Sequence, residues 1–205
     1  MKSVPMTFHK TRLHFINQDS ILIFDMLNLT KRKHMISFDK NLWPLAKQDT
    51  LNGESLVTET ANIASANLNL WNQQSIECNG KIYMCGGAIA GTKTYLKTMT
   101  MLDEFKWQFV SGLANMNHAR DAHGITTWKN RYIIVVGSWH VESSRKTCEI
   151  YDTFRNTWTE LPTLNDETCA PGLVIVKNRY LYKLGGATDV GKVEVLDLSL
   201  INFRD

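Results

Sequence analysis

At three places along the chain an apolar, β-branched run ends in a pair of small residues, and the interval between these places is nearly constant. The runs are Lys81–Cys85, Tyr132–Val136 and Tyr180–Leu184, closed by Gly86-Gly87, Gly137-Ser138 and Gly185-Gly186. Gly86 to Gly137 spans 51 residues and Gly137 to Gly185 spans 48. A second marker follows each time, an apolar stretch ending on an acid: Thr98–Asp103, Cys148–Asp152 and Val193–Asp197. A third is an aromatic just beyond that acid, at Trp107, Trp158 and Phe203, with the two indoles 51 positions apart. Markers of three different chemistries sharing one period near fifty require repeated units, which bury their apolar faces by stacking on one another.

The local signals are those of strands. The apolar runs are four to seven residues long and rich in branched and aromatic side chains, too short for helices. Asn79-Gly80, Asn130-Arg131 and Asn178-Arg179 precede three of them, and Asn tolerates the left-handed backbone of a two-residue hairpin turn. Residues 41–70 lack a 3.6-residue apolar stripe and are rich in Asn, Thr, Ser and Ala. The acid marker jumps 78 residues between Asp25 and Asp103, so this stretch reads as an inserted loop that projects and orders on a partner. The expected class is all-β.

A strand ending in Gly-Gly, a later strand ending in an acid, and then a Trp, at about fifty residues per unit, resembles the kelch repeat. The resemblance implies a β-propeller, in which four-stranded antiparallel sheets stand as blades around an axis. It covers about two-thirds of the chain: a degenerate partial blade over residues 1–40, the insertion over 41–70, and three clear blades over 71–205. Gly86, Gly87, Gly137, Gly185 and Gly186 would then let neighbouring backbones approach near the axis, where a Cβ would obstruct. Trp107 and Trp158 would fill the gaps between blades. Ser138 departs from the second glycine of the pattern, and Phe203 stands where a Trp is expected.

Composition narrows the functional classes. With 43% apolar and 21% charged residues the chain is neither a disordered tail nor a polyelectrolyte. Its net charge of +3 is dispersed, so no nucleic-acid face is expected. No run approaches the ~20 apolar residues of a membrane-spanning helix, and the first residues carry no apolar block of a secretory signal. Cys78, Cys85, Cys148 and Cys169 form no Cys-x-x-Cys pair. They read as reduced structural thiols and place the protein in the cytoplasm, with association to the cytoskeleton as one setting.

The same periodicity governs the candidate chemistry. His118, His123, His140 and Asp121 invite a metal reading, yet no thiol or carboxylate cluster completes a shell at a plausible spacing. Asp103, Asp152 and Asp197 recur with the repeat and read as strand-end turn residues. No phosphate-cradling glycine loop and no nucleophile elbow is present. Neither catalytic residues nor a cofactor nor a metal is therefore expected. The loops Ala88–Lys97, Trp139–Thr147 and Ala187–Lys192 should emerge together in a propeller. They carry Lys93, Tyr95, Lys97, Trp139, His140, Arg145, Lys146 and Lys192. Aromatic and arginine anchors suit a protein-binding face for an acidic partner; a solvated basic rim is the alternative.

The resemblance implies a non-catalytic interaction module or scaffold subunit, with a substrate-recruiting ubiquitin-ligase adaptor or a sugar-modifying enzyme as the rival readings. Three blades and a part fall short of the six or seven typical of kelch-like propellers. The ring would be completed by more of the same gene product, by a second copy or by another protein.

Overall fold

The computed structural model describes residues 70–102 and 112–201 in full, and elsewhere the backbone of the strands lying between residues 6 and 62 and of 103 and 108–110. Trp107 and Phe203 lie outside the described residues. The chain is all-β, and its only helical elements among the described residues are two short 3-10 turns. No helix among them is long and apolar enough to cross a membrane.

Four antiparallel sheets follow one another along the chain. Sheet 1 holds β1 (Met6–His9), β2 (Arg12–Ile16), β3 (Ser20–Asp25) and β4 (Thr30–Met35) in sequence order. Next come short strands: β5 (Pro44–Leu45), β6 (Gln48–Leu51), β7 (Glu54–Val57), β8 (Ala61–Asn62) and β9 (Leu70–Trp71). Sheet 2 is built from β10 (Gln74–Cys78) and β11 (Lys81–Cys85), then, after β12 (Ala88–Ile89) and β13 (Thr94–Tyr95), from β14 (Met99–Asp103) and β15 (Gln108–Val110). Sheet 3 is β16 (Gly124–Trp128), β17 (Tyr132–Val136), β18 (Cys148–Asp152) and β19 (Thr157–Leu161). Sheet 4 is β20 (Gly172–Val176), β21 (Tyr180–Leu184) and β22 (Val193–Asp197). The first strands of successive sheets are neighbours: β1 beside β10, β10 beside β16, β16 beside β20.

The segment 41–70 departs from the expected loop. It carries four short strands and the first residue of β9, and β7 pairs in parallel with β13, Thr94 opposite Ser55 and Tyr95 opposite Leu56. The backbone groups of an edge strand must find partners, and here this stretch supplies them.

The turns also differ by one residue from the expected pairs. Asn79 and Gly80 are left-handed as anticipated, with φ of 52° and 73°. In the next two hairpins the left-handed residues are Lys129-Asn130 and Lys177-Asn178, with φ between 50° and 53°. Arg131 and Arg179 are freed for another task. Arg131 grips Asp152 with Nε–Oδ1 at 2.9 Å and Nη2–Oδ2 at 2.5 Å; Arg179 holds Asp197 in the same forked manner. The recurring acid thus ties the third strand to the first hairpin and, for Asp152, caps its own turn through the N–H groups of Phe154 and Arg155. Burial alone would raise the Asp152 carboxyl, but these bonds outweigh it and hold the group below the usual carboxylate range.

Strand β17 is buried on both faces, which explains its unbroken apolar sequence. Ile133 and Val135 join Cys78, Tyr83, Cys85, Met99 and Tyr151 in a core between sheets 2 and 3. Ile134 and Val136 join Trp128, Ile150, Leu181 and Leu198 between sheets 3 and 4. Trp158 lies at the edge of the first of these cores, packed on Tyr151 with 5.0 Å between centroids, and its Nε1 donates to the Ala114 carbonyl at 2.9 Å. It therefore lies against the core that sheets 2 and 3 share.

The small pairs mark the closest approach of one sheet to the next. A Cβ on Gly86 would lie 2.4 Å from the Arg120 carbonyl oxygen, and one on Gly137 would lie 2.4 Å from that of Thr168. Both glycines also have positive φ, 64° and 74°. Ser138 is not left-handed, so it tolerates a side chain where Gly87 and Gly186 have φ of 101° and 149°. At Gly185 (φ 53°) a Cβ would find nothing closer than 3.8 Å. Gly137→Ala should therefore lose several kcal/mol, combining the left-handed penalty of about 1–2 kcal/mol with a backbone clash. Gly185→Ala should lose only the left-handed penalty. Equal urea midpoints for the two variants would contradict this account of the contact.

Candidate functional site

The end of the β16–β17 hairpin gathers Asp121, Ser138 and His140. Gly124 pairs with Val136, so the residues before β16 and after β17 emerge at the same place. Asp121 is fully buried. Its carboxylate accepts from the His140 backbone N–H at 2.9 Å, from His140 Nδ1 at 2.7 Å, from Ser138 Oγ at 3.3 Å and from Asn72 Nδ2 at 3.2 Å. The His140 side chain is 46% exposed. With Nδ1 engaged by a buried carboxylate, its other nitrogen, Nε2, is the one left for a ligand. The imidazole stacks on Tyr95 at 5.4 Å and 18°, and abuts Trp139 at 5.9 Å. The Trp139 indole is 48% exposed, while its backbone is fixed on both sides: its N–H donates to the Asp121 carbonyl, and its own carbonyl accepts from Arg145 Nε. The site is a rigid aromatic platform on a buried acid.

Of the residues expected on the loop face, one is buried and three are engaged by neighbouring groups. Tyr95 is buried at 6% exposure because it packs with Ala88, Ala119 and Val141 and pairs in β13; it supports His140 rather than meeting a partner. Arg145 is paired with Glu167 at 3.3 Å, Lys192 with Asp166 at 2.9 Å, and Lys146 donates to the Asn165 carbonyl at 2.7 Å. Exposed contacts of this kind are weak, yet two ion pairs and one hydrogen bond already answer three of the cations meant to attract an acidic surface. Lys93 is exposed and Lys97 half-buried, and neither takes part in an ion pair among the described residues.

Three buried arrangements were not legible as a site in the sequence. Arg120 and Glu149 are both fully buried and paired at 2.8 Å; the guanidinium also donates to the carbonyls of Gly137, Ser144 and Thr147. Lys183 pairs with Asp189, both buried, and Asp189 accepts from Thr168 Oγ1 at 2.8 Å. Cys85 Sγ lies 3.3 Å from His123 Nε2. Burial pushes the Cys85 thiol up to about 12, against the pull of Arg120, and burial together with the Arg120 charge lowers His123 to about 3. The pair is therefore a neutral thiol beside a neutral imidazole, the reverse of an activated thiolate–imidazolium nucleophile. Asp121 and His140 were both named from the sequence, but not as a contacting pair; the signal that could have joined them is the hairpin itself, because a residue just before the first strand and one just after the second share one end.

Among the described residues no group of three or more His, Cys, Asp or Glu side chains is arranged to hold a metal ion. All four cysteines are free and buried. Comparison of the sequence with models of known protein families and with curated proteins finds no match.

Proposed function

We propose that this chain is a kelch-like propeller portion serving as a non-catalytic protein-interaction module or scaffold subunit in the cytoplasm. The serial adjacency of β1, β10, β16 and β20 supports the propeller reading. So does a chain of backbone bonds through left-handed corners: the Ala122 N–H donates to the Asn72 carbonyl, and the Ala170 N–H to the Ala122 carbonyl. Free, buried thiols fit a reducing compartment.

The observation that carries the functional reading is Trp139: a large aromatic, half in solvent, on a backbone held by Asp121 and Arg145. A pre-ordered aromatic costs little entropy to bind and is the residue type that dominates interaction hot spots. The partner surface reads as an apolar pocket with acceptors for the neighbouring cations, rather than a uniformly acidic one. Trp139→Ala should leave the fold unchanged and remove one or more proteins from the set that co-purifies with the wild-type chain at matched expression. An unchanged set, with unchanged thermal unfolding, would overturn the assignment of this platform.

The Asp121–His140 pair favours a second reading, proton transfer to a sugar at the platform. A glycan-conversion screen with His140→Gln as the control separates it from the first.

A further inference from the structure

The turn end of the β16–β17 hairpin, where Trp128 pairs with Tyr132, is the end remote from Asp121 and the Trp139 platform. Hydrogen bonds gather the turns of sheets 3 and 4 there. Trp128 Nε1 donates to the Asn178 carbonyl at 2.9 Å, and the Leu198 N–H donates to the Arg179 carbonyl. Thr153 donates to the Arg131 carbonyl through both its N–H and its hydroxyl. A cavity of about 560 Å³ opens among these turns, and Trp128, Lys129, Tyr132, Leu198 and Ile201 are among its walls. Two apolar side chains stand in solvent beside it: Phe154 is 65% exposed and Leu200 is 77% exposed. Phe154 is held in place, because its N–H donates to Asp152 and its ring lies 5.0 Å from the Arg131 guanidinium.

Charge at this end is one-sided. The turns carry Lys129, Arg131, Arg155, Lys177 and Arg179 against Asp152 and Asp197. Both carboxylates are gripped, by Arg131 and by Arg179. Lys129 and Lys177 are exposed and take part in no ion pair among the described residues. Each occupies a left-handed turn position, which a lysine enters only at a cost. The backbone does not call for lysine there, since sheet 2 makes the equivalent turn with Asn79-Gly80. Lys129 Nζ is also fixed, 4.2 Å from the centroid of Trp128, so its charge stands at the cavity. Unanswered cations beside an apolar hollow are complementary to carboxylates that flank an apolar side chain. An anionic bilayer would match the lysines and the two exposed tips but leave the hollow unused.

We propose that this end is a second docking face, independent of the Trp139 platform, for an acidic segment of a partner protein. One apolar side chain of that segment enters the cavity beside Phe154 and Leu200, and its carboxylates meet Lys129 and Lys177.

Fluorescence polarisation with short labelled peptides of Asp and Glu carrying a single Trp, Phe or Leu tests this on the full chain. At least one peptide should bind saturably in the micromolar range, and affinity should fall as salt is raised. The same peptides with Asn and Gln in place of the acids should not bind. Lys129→Glu/Lys177→Glu should weaken binding roughly tenfold with an unchanged circular dichroism spectrum. Phe154→Ser, which leaves every charge in place, should weaken it as well. Equal binding of the neutral peptides, or affinity unchanged in the charge-reversed chain, would overturn the proposal. So would binding to phosphatidylserine vesicles with no peptide bound, or no binding of either probe.

Discussion

Arg120→Met should destabilise the protein by about 3–5 kcal/mol, the cost of leaving one partner of a buried ion pair without the other. Glu149 is fully buried and would keep only the N–H groups of Asn117 and His118, at 2.7 and 3.2 Å. The Gly137 carbonyl would lose the Arg120 donor as well, while those of Ser144 and Thr147 would keep backbone N–H donors. Arg120 also joins two units through its backbone: its N–H donates to the Leu96 carbonyl and its carbonyl accepts from Gly87. The loss should appear as a lower urea midpoint together with looser packing between sheets 2 and 3. Arg120→Met/Glu149→Leu should recover at least half of the loss, because the pair's value lies largely in its mutual satisfaction. A single-variant loss below about 1 kcal/mol would show that the pair is not buried as described.

The second large effect is acid sensitivity centred on His123. Its imidazole is buried among Arg120, Cys85 and Gly86, its Nδ1 has no hydrogen-bond partner among the described residues, and its pKa is lowered to about 3. An unfolded histidine titrates near 6.5. Below that value the unfolded chain takes up a proton that the native imidazole refuses, so stability falls with pH until about 3. Between pH 7 and 5 this one group should remove about 2 kcal/mol. The carboxylate of Asp152, held low by Arg131, acts in a different window, since its contribution is lost only below the ordinary carboxyl range. Urea midpoints at pH 7, 6 and 5 check the slope; His123→Gln should flatten it. A wild-type slope retained in that variant would assign the effect to other groups.

The periodic markers were legible because each answers a local physical demand. Glycines must stand where another backbone comes within 2.4 Å of a would-be Cβ, as at Gly86 and Gly137. Asp152 and Asp197 must end their strands to hold an arginine of the preceding hairpin. Those constraints act on single residues at a fixed spacing, so strand, turn and repeat could be read directly. The exact turn pair could not, since choosing Lys129-Asn130 over Asn130-Arg131 depends on what Arg131 does across the sheet.

The candidate site was less legible, for the same reason. Lys93, Trp139 and His140 are exposed, but Tyr95 was expected beside them and is buried, because β7 from a distant stretch pairs with β13. Arg145, Lys146 and Lys192 looked like a cationic rim in sequence, and only folding brought them to Glu167, Asn165 and Asp166. What the sequence alone determined is an all-β chain with a unit near fifty residues, since strand length, turn chemistry and glycine spacing are short-range matters. What only the tertiary structure decided is which polar groups are spent on one another and which remain for a partner. Charge pairing and burial depend on distances between residues that the chain order leaves far apart.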